Sequence, residues 1–197
     1  MAFSGEAEAV STVLYRFESS GGAGTVEGSC AAGVGGAFGV SGLDVSGLPD
    51  GTLTLSVSAM DAAGNQSAWA AGRTATKDTA APSGYGVAFV PAYVNGANRT
   101  AVPFTLSGGE VGSTCQYSVQ STGGGPAVAG STVVASAVST VGPLDLSGLG
   151  DGTLTLSAFL TDVHGNPGSA ASAQVPKDVA VPAVPTVSAL TDPVNLA

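Results

Sequence analysis

LDVSGLPDGTLTLSVSAMD, residues Leu43–Asp61, returns as LDLSGLGDGTLTLSAFLTD, residues Leu144–Asp162, with 13 of 19 positions identical at an offset of 101 residues. Self-similarity at that period marks the duplication of a small domain. Within the first copy Leu53, Leu55, Val57 and Ala59 alternate with Thr52, Thr54, Ser56 and Ser58. The second copy alternates alike, through Leu154, Leu156, Ala158 and Leu160. A period of two predicts strands with one buried and one wet face. Phe159 falls on the outer face and is expected against a neighbouring element. Pro49-Asp50-Gly51 and Gly150-Asp151-Gly152 supply turn chemistry before each strand.

After each strand comes a loop of turn formers, Asp61 to Gly64-Asn65 and Asp162 to Gly165-Asn166. Each copy closes on Lys-Asp and, four residues on, Pro: Lys77-Asp78 with Pro82, Lys177-Asp178 with Pro182. The offset has fallen to 100, so the second copy is one residue shorter in the stretch before. Upstream, Ala9–Phe17 is a strand candidate matched within Gly108–Val119, with Tyr15 set against Tyr117. Glycine clusters at Ser20–Gly24 and Ser121–Gly125 read as hairpin loops.

The register divides the chain unevenly. Pro82–Phe104 looks like an opening strand, a turn at Asn95-Gly96 and an entry to the next strand, and the first copy has no counterpart. Pro182–Ala197 resembles Pro82–Ala97. The expected domains are therefore 1–79, lacking an opening strand; 80–179, complete; and 180–197, the opening strand of a following repeat.

Composition agrees with an all-β chain. Thirty Gly and 11 Pro among 197 residues suit short strands and tight turns rather than helices. No apolar run is long enough to span a bilayer, and no membrane insertion is expected. Five Lys and Arg against 14 Asp and Glu, a net charge of −9, exclude phosphate-rich nucleic acid as a partner. Met1–Val10 lacks the charged start and apolar core of a signal peptide, so the chain is read as a piece of something longer.

Cys30 and Cys115 fall at non-equivalent positions, Cys115 opposite Val13 and Cys30 opposite Thr132 in the repeat register, so two buried free thiols are expected. His164 stands alone in a loop where the first copy has Ala63. No nucleophile or carboxylate recurs with it, no phosphate-binding glycine loop carries its Lys and Ser/Thr, and no enzyme is expected. Trp69 is expected to pack in the core or at an edge.

The motifs SGLPDGTLTLSVSAMDAAGN with ATKDTAAPSGY, and SGLGDGTLTLSAFLTDVHGN with PKDVAVP, resemble bacterial Ig-like repeats. Such repeats stand in tandem in large secreted or surface-anchored proteins, many of them adhesins. The resemblance covers nearly the whole chain. It implies two tandem Ig-like antiparallel β-sandwiches of about seven strands each, the first lacking its opening strand.

It also implies an extracellular or cell-surface location and a structural spacer role, with neighbouring repeats as partners. Copies of the chain itself are further expected partners, through donor-strand exchange of the C-terminal strand. The alternative is a module that binds a glycan or a surface, which would need exposed aromatics beside polar groups in a concave face. Asp61, Asn65, Asp78, Asp162, Asn166 and Asp178 are the candidate calcium ligands, since calcium takes carboxylate, amide and carbonyl oxygens. The Asp61 loop and the Asp78 linker are expected at one end of the sandwich. The competing reading is that these residues only shape turns.

Overall fold

The computed structural model describes residues 1–188. The chain forms two compact units, Met1–Ala80 and Ala81–Ala197. Thirteen strands and no helix occur among the described residues.

The first unit contains β1 (Phe3–Glu6), β2 (Thr12–Ser19), β3 (Thr25–Ala31), β4 (Ala37–Val40), β5 (Gly51–Met60) and β6 (Ala70–Lys77). One sheet runs β3-β2-β5-β6, the other is the pair β1-β4, and all pairings are antiparallel. The inward residues of β2 and β5, Tyr15, Phe17, Leu53 and Leu55, meet Phe3 of β1 and Val40 of β4 in the core between the sheets. The alternation quoted at the outset is thus the inner face of β5.

The second unit contains β7 (Gly86–Phe89), β8 (Val102–Ser107), β9 (Thr114–Ser121), β10 (Val128–Val133), β11 (Val138–Leu144), β12 (Gly152–Thr161) and β13 (Ala171–Lys177). Its sheets are β10-β9-β12-β13 and β11-β8-β7. The first sheet repeats β3-β2-β5-β6. The second repeats β4-β1 and adds β7, paired antiparallel to β8 along its free edge. The architecture is all-β, two antiparallel sandwiches in tandem, and the first has no counterpart of β7 among the described residues.

Repeated contacts pin the register. Tyr15 pairs with Gly28, and Tyr117 with Gly130. Each tyrosine lies so close over its glycine that a β-carbon there would sit 2.2 Å or 2.4 Å from the hydroxyl. Other positions are exchanged between strands. Leu106 of β8, buried, pairs with Ser139 of β11. In the first unit Gly5 of β1 pairs with Phe38 of β4, whose ring would touch any β-carbon on Gly5. The large side chain stands on the partner strand instead, where Phe38 is half-buried.

Residues 180–188 follow β13 without regular secondary structure, and the other half of the expected third opening strand, 189–197, lies outside the described residues.

Candidate functional site

The two Asp–Asn loops share three side-chain hydrogen bonds. Asp61 Oδ1 accepts the backbone N–H groups of Ala63 and Asn65 at 2.9 Å and 2.8 Å, and Oδ2 accepts Asn65 Nδ2 at 2.8 Å. Asp162 repeats this with His164 N and Asn166 N at 2.8 Å and Asn166 Nδ2 at 2.7 Å. A short side-chain carboxylate that caps its own backbone N–H groups closes the turn without a ligand. The Asn65 side-chain and backbone bonds hold the Asp61 carboxyl below its ordinary range. At Asp162 burial pushes upward, and the bonds from Asn166, His164 and Gly165 together outweigh it, so the carboxyl is again lowered.

Asp78 and Asp178 each accept a backbone N–H two residues on, from Ala80 at 3.0 Å and Ala180 at 2.9 Å. The structure brings Asp61 to Asn65 and Asp162 to Asn166. Within a unit it does not bring the Asp61 loop to the Asp78 linker, contrary to expectation. Lys77 pairs with Gly51 at the start of β5, whereas Asp61 follows Met60 at its end. The length of β5, about 30 Å at ~3.3 Å per residue, separates them.

The sequence singled out Asp50 and Asp151 only as turn residues. In the fold Lys77 Nζ donates to Leu48 O at 2.7 Å and Asp50 Oδ1 at 3.0 Å, while Asp50 Oδ2 accepts Thr79 N and Thr79 Oγ1 at 2.8 Å. Lys177 repeats the clamp on Leu149 O at 2.7 Å and Asp151 Oδ1 at 3.1 Å, with Val179 N on Asp151 Oδ2 at 3.2 Å. This ties the residues just beyond the last strand of each unit back to the β-turn before β5 or β12. The Thr79 N–H, the Lys77 ammonium and the Thr79 hydroxyl hold the Asp50 carboxyl at about 2. The recurrence of Lys-Asp ahead of Pro82 and Pro182 was the visible signal.

The second unit also holds its own opening segment. β7 sets Val87 beside Leu106 and Phe89 beside Phe104. Val94, fully buried, bridges in parallel to Lys177: its N–H donates to Pro176 O at 2.8 Å, and Asp178 N donates to Val94 O at 2.9 Å. The Tyr85 hydroxyl accepts Leu160 N at 3.2 Å and donates to Ser169 O. In the first unit the hydroxyl of Ser67 serves the equivalent groups, accepting Ala59 N and donating to Ala68 O, both at 3.0 Å.

Trp69 is 42% exposed, an edge position, with the Arg16 guanidinium 5.2 Å above its ring. Cys115 is a fully buried free thiol, as expected. Cys30 is also free but only half-buried, because it lies on the edge strand β3. Burial raises the pKa of both. Val13 pairs with Cys30 and Cys115 with Thr132, the register read from the repeat. Phe159 on β12 is half-buried opposite Gln116.

No protein-family model and no curated protein matches the chain. Among solved structures, a tetra-tandem repeat from the extending region of a large adhesion protein is 24% identical, with a TM-score of 0.43 over 90% of this chain and 45% of that one. A Ca2+-stabilized adhesin that helps an Antarctic bacterium bind ice is 19% identical, with a TM-score of 0.46 over 90% and 43%. A two-domain fibronectin type III segment of chicken tenascin is 14% identical, with a TM-score of 0.35 over 89% and 91%. The chain spans less than half the length of those two adhesin chains, and the structures it resembles include tandem repeats of large bacterial adhesins.

Proposed function

We propose that this chain is a structural spacer of an extracellular bacterial adhesin, a run of Ig-like repeats joined end to end, without enzymatic activity. The observation that carries the reading is the duplication itself. Two copies of one sandwich each clamp their own last strand through Lys77–Asp50 or Lys177–Asp151. The chemistry that the two copies share lies in turns, clamps and core, which suits a spacer repeat. No helix among the described residues is long and apolar enough to cross a membrane.

Pulling the chain from its two ends in a force spectrometer tests the role. Units of this size should unfold one at a time, in steps of roughly 25–30 nm at ~3.5 Å per residue. Gradual extension with no discrete steps would overturn the reading.

Two finer readings belong with it. In the first, the segment 180–197 of one copy completes the first unit of another by donor-strand exchange. Light scattering of the full chain against a version ending at Asp178 should show association only for the former. In the second, calcium is held by Asp61 with Asn65, Asp162 with Asn166, and by Asp78 and Asp178. Carboxylate oxygens keep lone pairs beyond those used by the loop N–H groups, and a bound cation would neutralise like charges there.

A further inference from the structure

The two copies differ on the outer face of their larger sheets. In the first unit Leu14 and Arg16 of β2 point outward, set against Ser29 and Glu27 of β3. Trp69, just before β6, stands beside them with the Arg16 guanidinium 5.2 Å from its ring centroid. Arg16 Nη2 also pairs with Glu18 Oε2 at 3.4 Å, so the guanidinium is held where it braces the indole. Leu14, Glu27, Ser29 and Trp69 wall a cleft of about 390 Å3, and Tyr15 and Gly28, whose side-chain positions face the core, form its floor. Small-molecule sites occupy roughly 300–1,000 Å3. The cleft lies on the face of the sheet turned away from β1 and β4.

The sandwich does not need this constellation. Ser67 aligns with Gly168, and so Trp69 aligns with Ala170. The second unit builds the same four-stranded sheet with Gln116, Ser118, Ala129 and Ala170 at the places of Leu14, Arg16, Glu27 and Trp69. Nor do the polar groups of the cleft serve the first unit's own bonding. The Glu27 carboxylate, the Ser29 hydroxyl and the Trp69 indole N–H have no hydrogen-bond partner among the described residues. Glu27 and Ser29 are exposed, and Trp69 is 42% exposed.

We infer that this cleft is a binding site for a neutral saccharide and seats one pyranose ring. A pyranose presents a face of C–H bonds and a rim of hydroxyls, each able to donate and to accept. Leu14 and the indole supply the apolar wall, the Glu27 carboxylate accepts, the indole N–H donates, and the Ser29 hydroxyl does either. An anion would meet Glu27, and Arg16 already holds a cation's place against the ring. The site goes beyond the spacer role and does not depend on it.

The test titrates the full isotope-labelled chain by NMR with methyl β-D-glucopyranoside, methyl β-D-galactopyranoside and methyl α-D-mannopyranoside, and with tetramethylammonium chloride as a cationic probe. The single tryptophan gives one indole N–H signal. At least one saccharide should shift that signal and the Ser29 amide saturably, and leave the Ser131 amide of the second unit unmoved. Glu27→Ala, which copies Ala129, should weaken binding of that saccharide at least tenfold. Trp69→Ala, which copies Ala170, should abolish the Ser29 shift. Both variants should keep the wild-type spread of amide signals, since the second unit folds with alanine at both places. The inference is overturned if no saccharide gives a saturable shift, or if both variants bind as the wild type does. If tetramethylammonium alone shifts the indole signal, the cleft is a cation site and the saccharide assignment is wrong.

Discussion

Val10 has φ of 62°, in the left-handed region, and is 73% exposed. The matching residue of the second unit is Gly112, with φ of 91°. Both sit in the same turn: Ser11 N donates to Glu8 O at 3.2 Å, and Ser113 N to Glu110 O at 3.2 Å. A β-branched residue gains nothing from this conformation and, so exposed, little from burial. The left-handed region costs an L-residue about 1–2 kcal/mol. Glycine removes that cost but adds about 0.5–1 kcal/mol of unfolded-state entropy. Val10→Gly should therefore stabilise the first unit by about 0.5–1 kcal/mol, the difference between these two terms. With a urea slope near ~1 kcal/mol per molar, the midpoint rises by about 0.5–1 M. The assay is fluorescence of Trp69, the single tryptophan, which reports the first unit alone. The reciprocal Gly112→Val should destabilise the second unit and leave the Trp69 transition unmoved. An unchanged or lowered midpoint for Val10→Gly would refute the reasoning, because it would mean that Val10 contributes packing or that the turn holds no strain.

Tyr85→Phe keeps the ring over Gly168 but strands Leu160 N and Ser169 O. It should cost the second unit about 1–3 kcal/mol by hydrogen exchange of its peptides. The depressed carboxyls predict acid lability: Asp50 titrates at about 2, and Asp61 and Asp151 lie below their ordinary values. The unfolded chain binds protons first, so stability is full above about pH 4 and is lost as pH falls towards 2. Asp50→Asn should flatten that slope in melting curves recorded across the window. Cys30, half-buried, should react with a thiol reagent well before Cys115, which should react only on unfolding; mass spectrometry of partly labelled protein reads the order. Added calcium should raise Tm relative to excess chelator, and Asp61→Ala should reduce the gain; identical melting curves would reject the calcium proposal.

The β5 and β12 strands were legible because their environment is regular. One face of Leu and Val meets one core, and a period of two is enough to fix which side points in. The Asp–Asn loops were legible for a similar reason: each is closed by bonds within four residues. What the sequence hid is long-range. Lys77 reaches Asp50 across 27 positions, and Tyr85 reaches Leu160 across 75. Neither spacing leaves a periodic trace. The placement of Asp78 at one end with Asp61 failed because the antiparallel β5–β6 pairing puts the start of one strand beside the end of the other. Cys30 was expected to be buried because cysteine usually is, but an edge strand leaves one flank open.

The most informative differences between the copies are therefore those that come in pairs. Leu106 with Ser139 becomes Gly5 with Phe38, and the large side chain changes strand. Tyr85 with Gly168 becomes Ser67 with no tyrosine, and the same two backbone groups stay bonded. The first exchange only moves bulk between neighbouring strands, and it fixes nothing about what lies beyond β1. The second changes which side chain bonds the backbone: Ser67 satisfies Ala59 N and Ala68 O from within the first unit, while Gly168 leaves the equivalent groups to Tyr85. Serine at that place makes the first unit self-sufficient where Tyr85 would dock, while Phe3, Val40 and Leu43 remain only half-covered beside it.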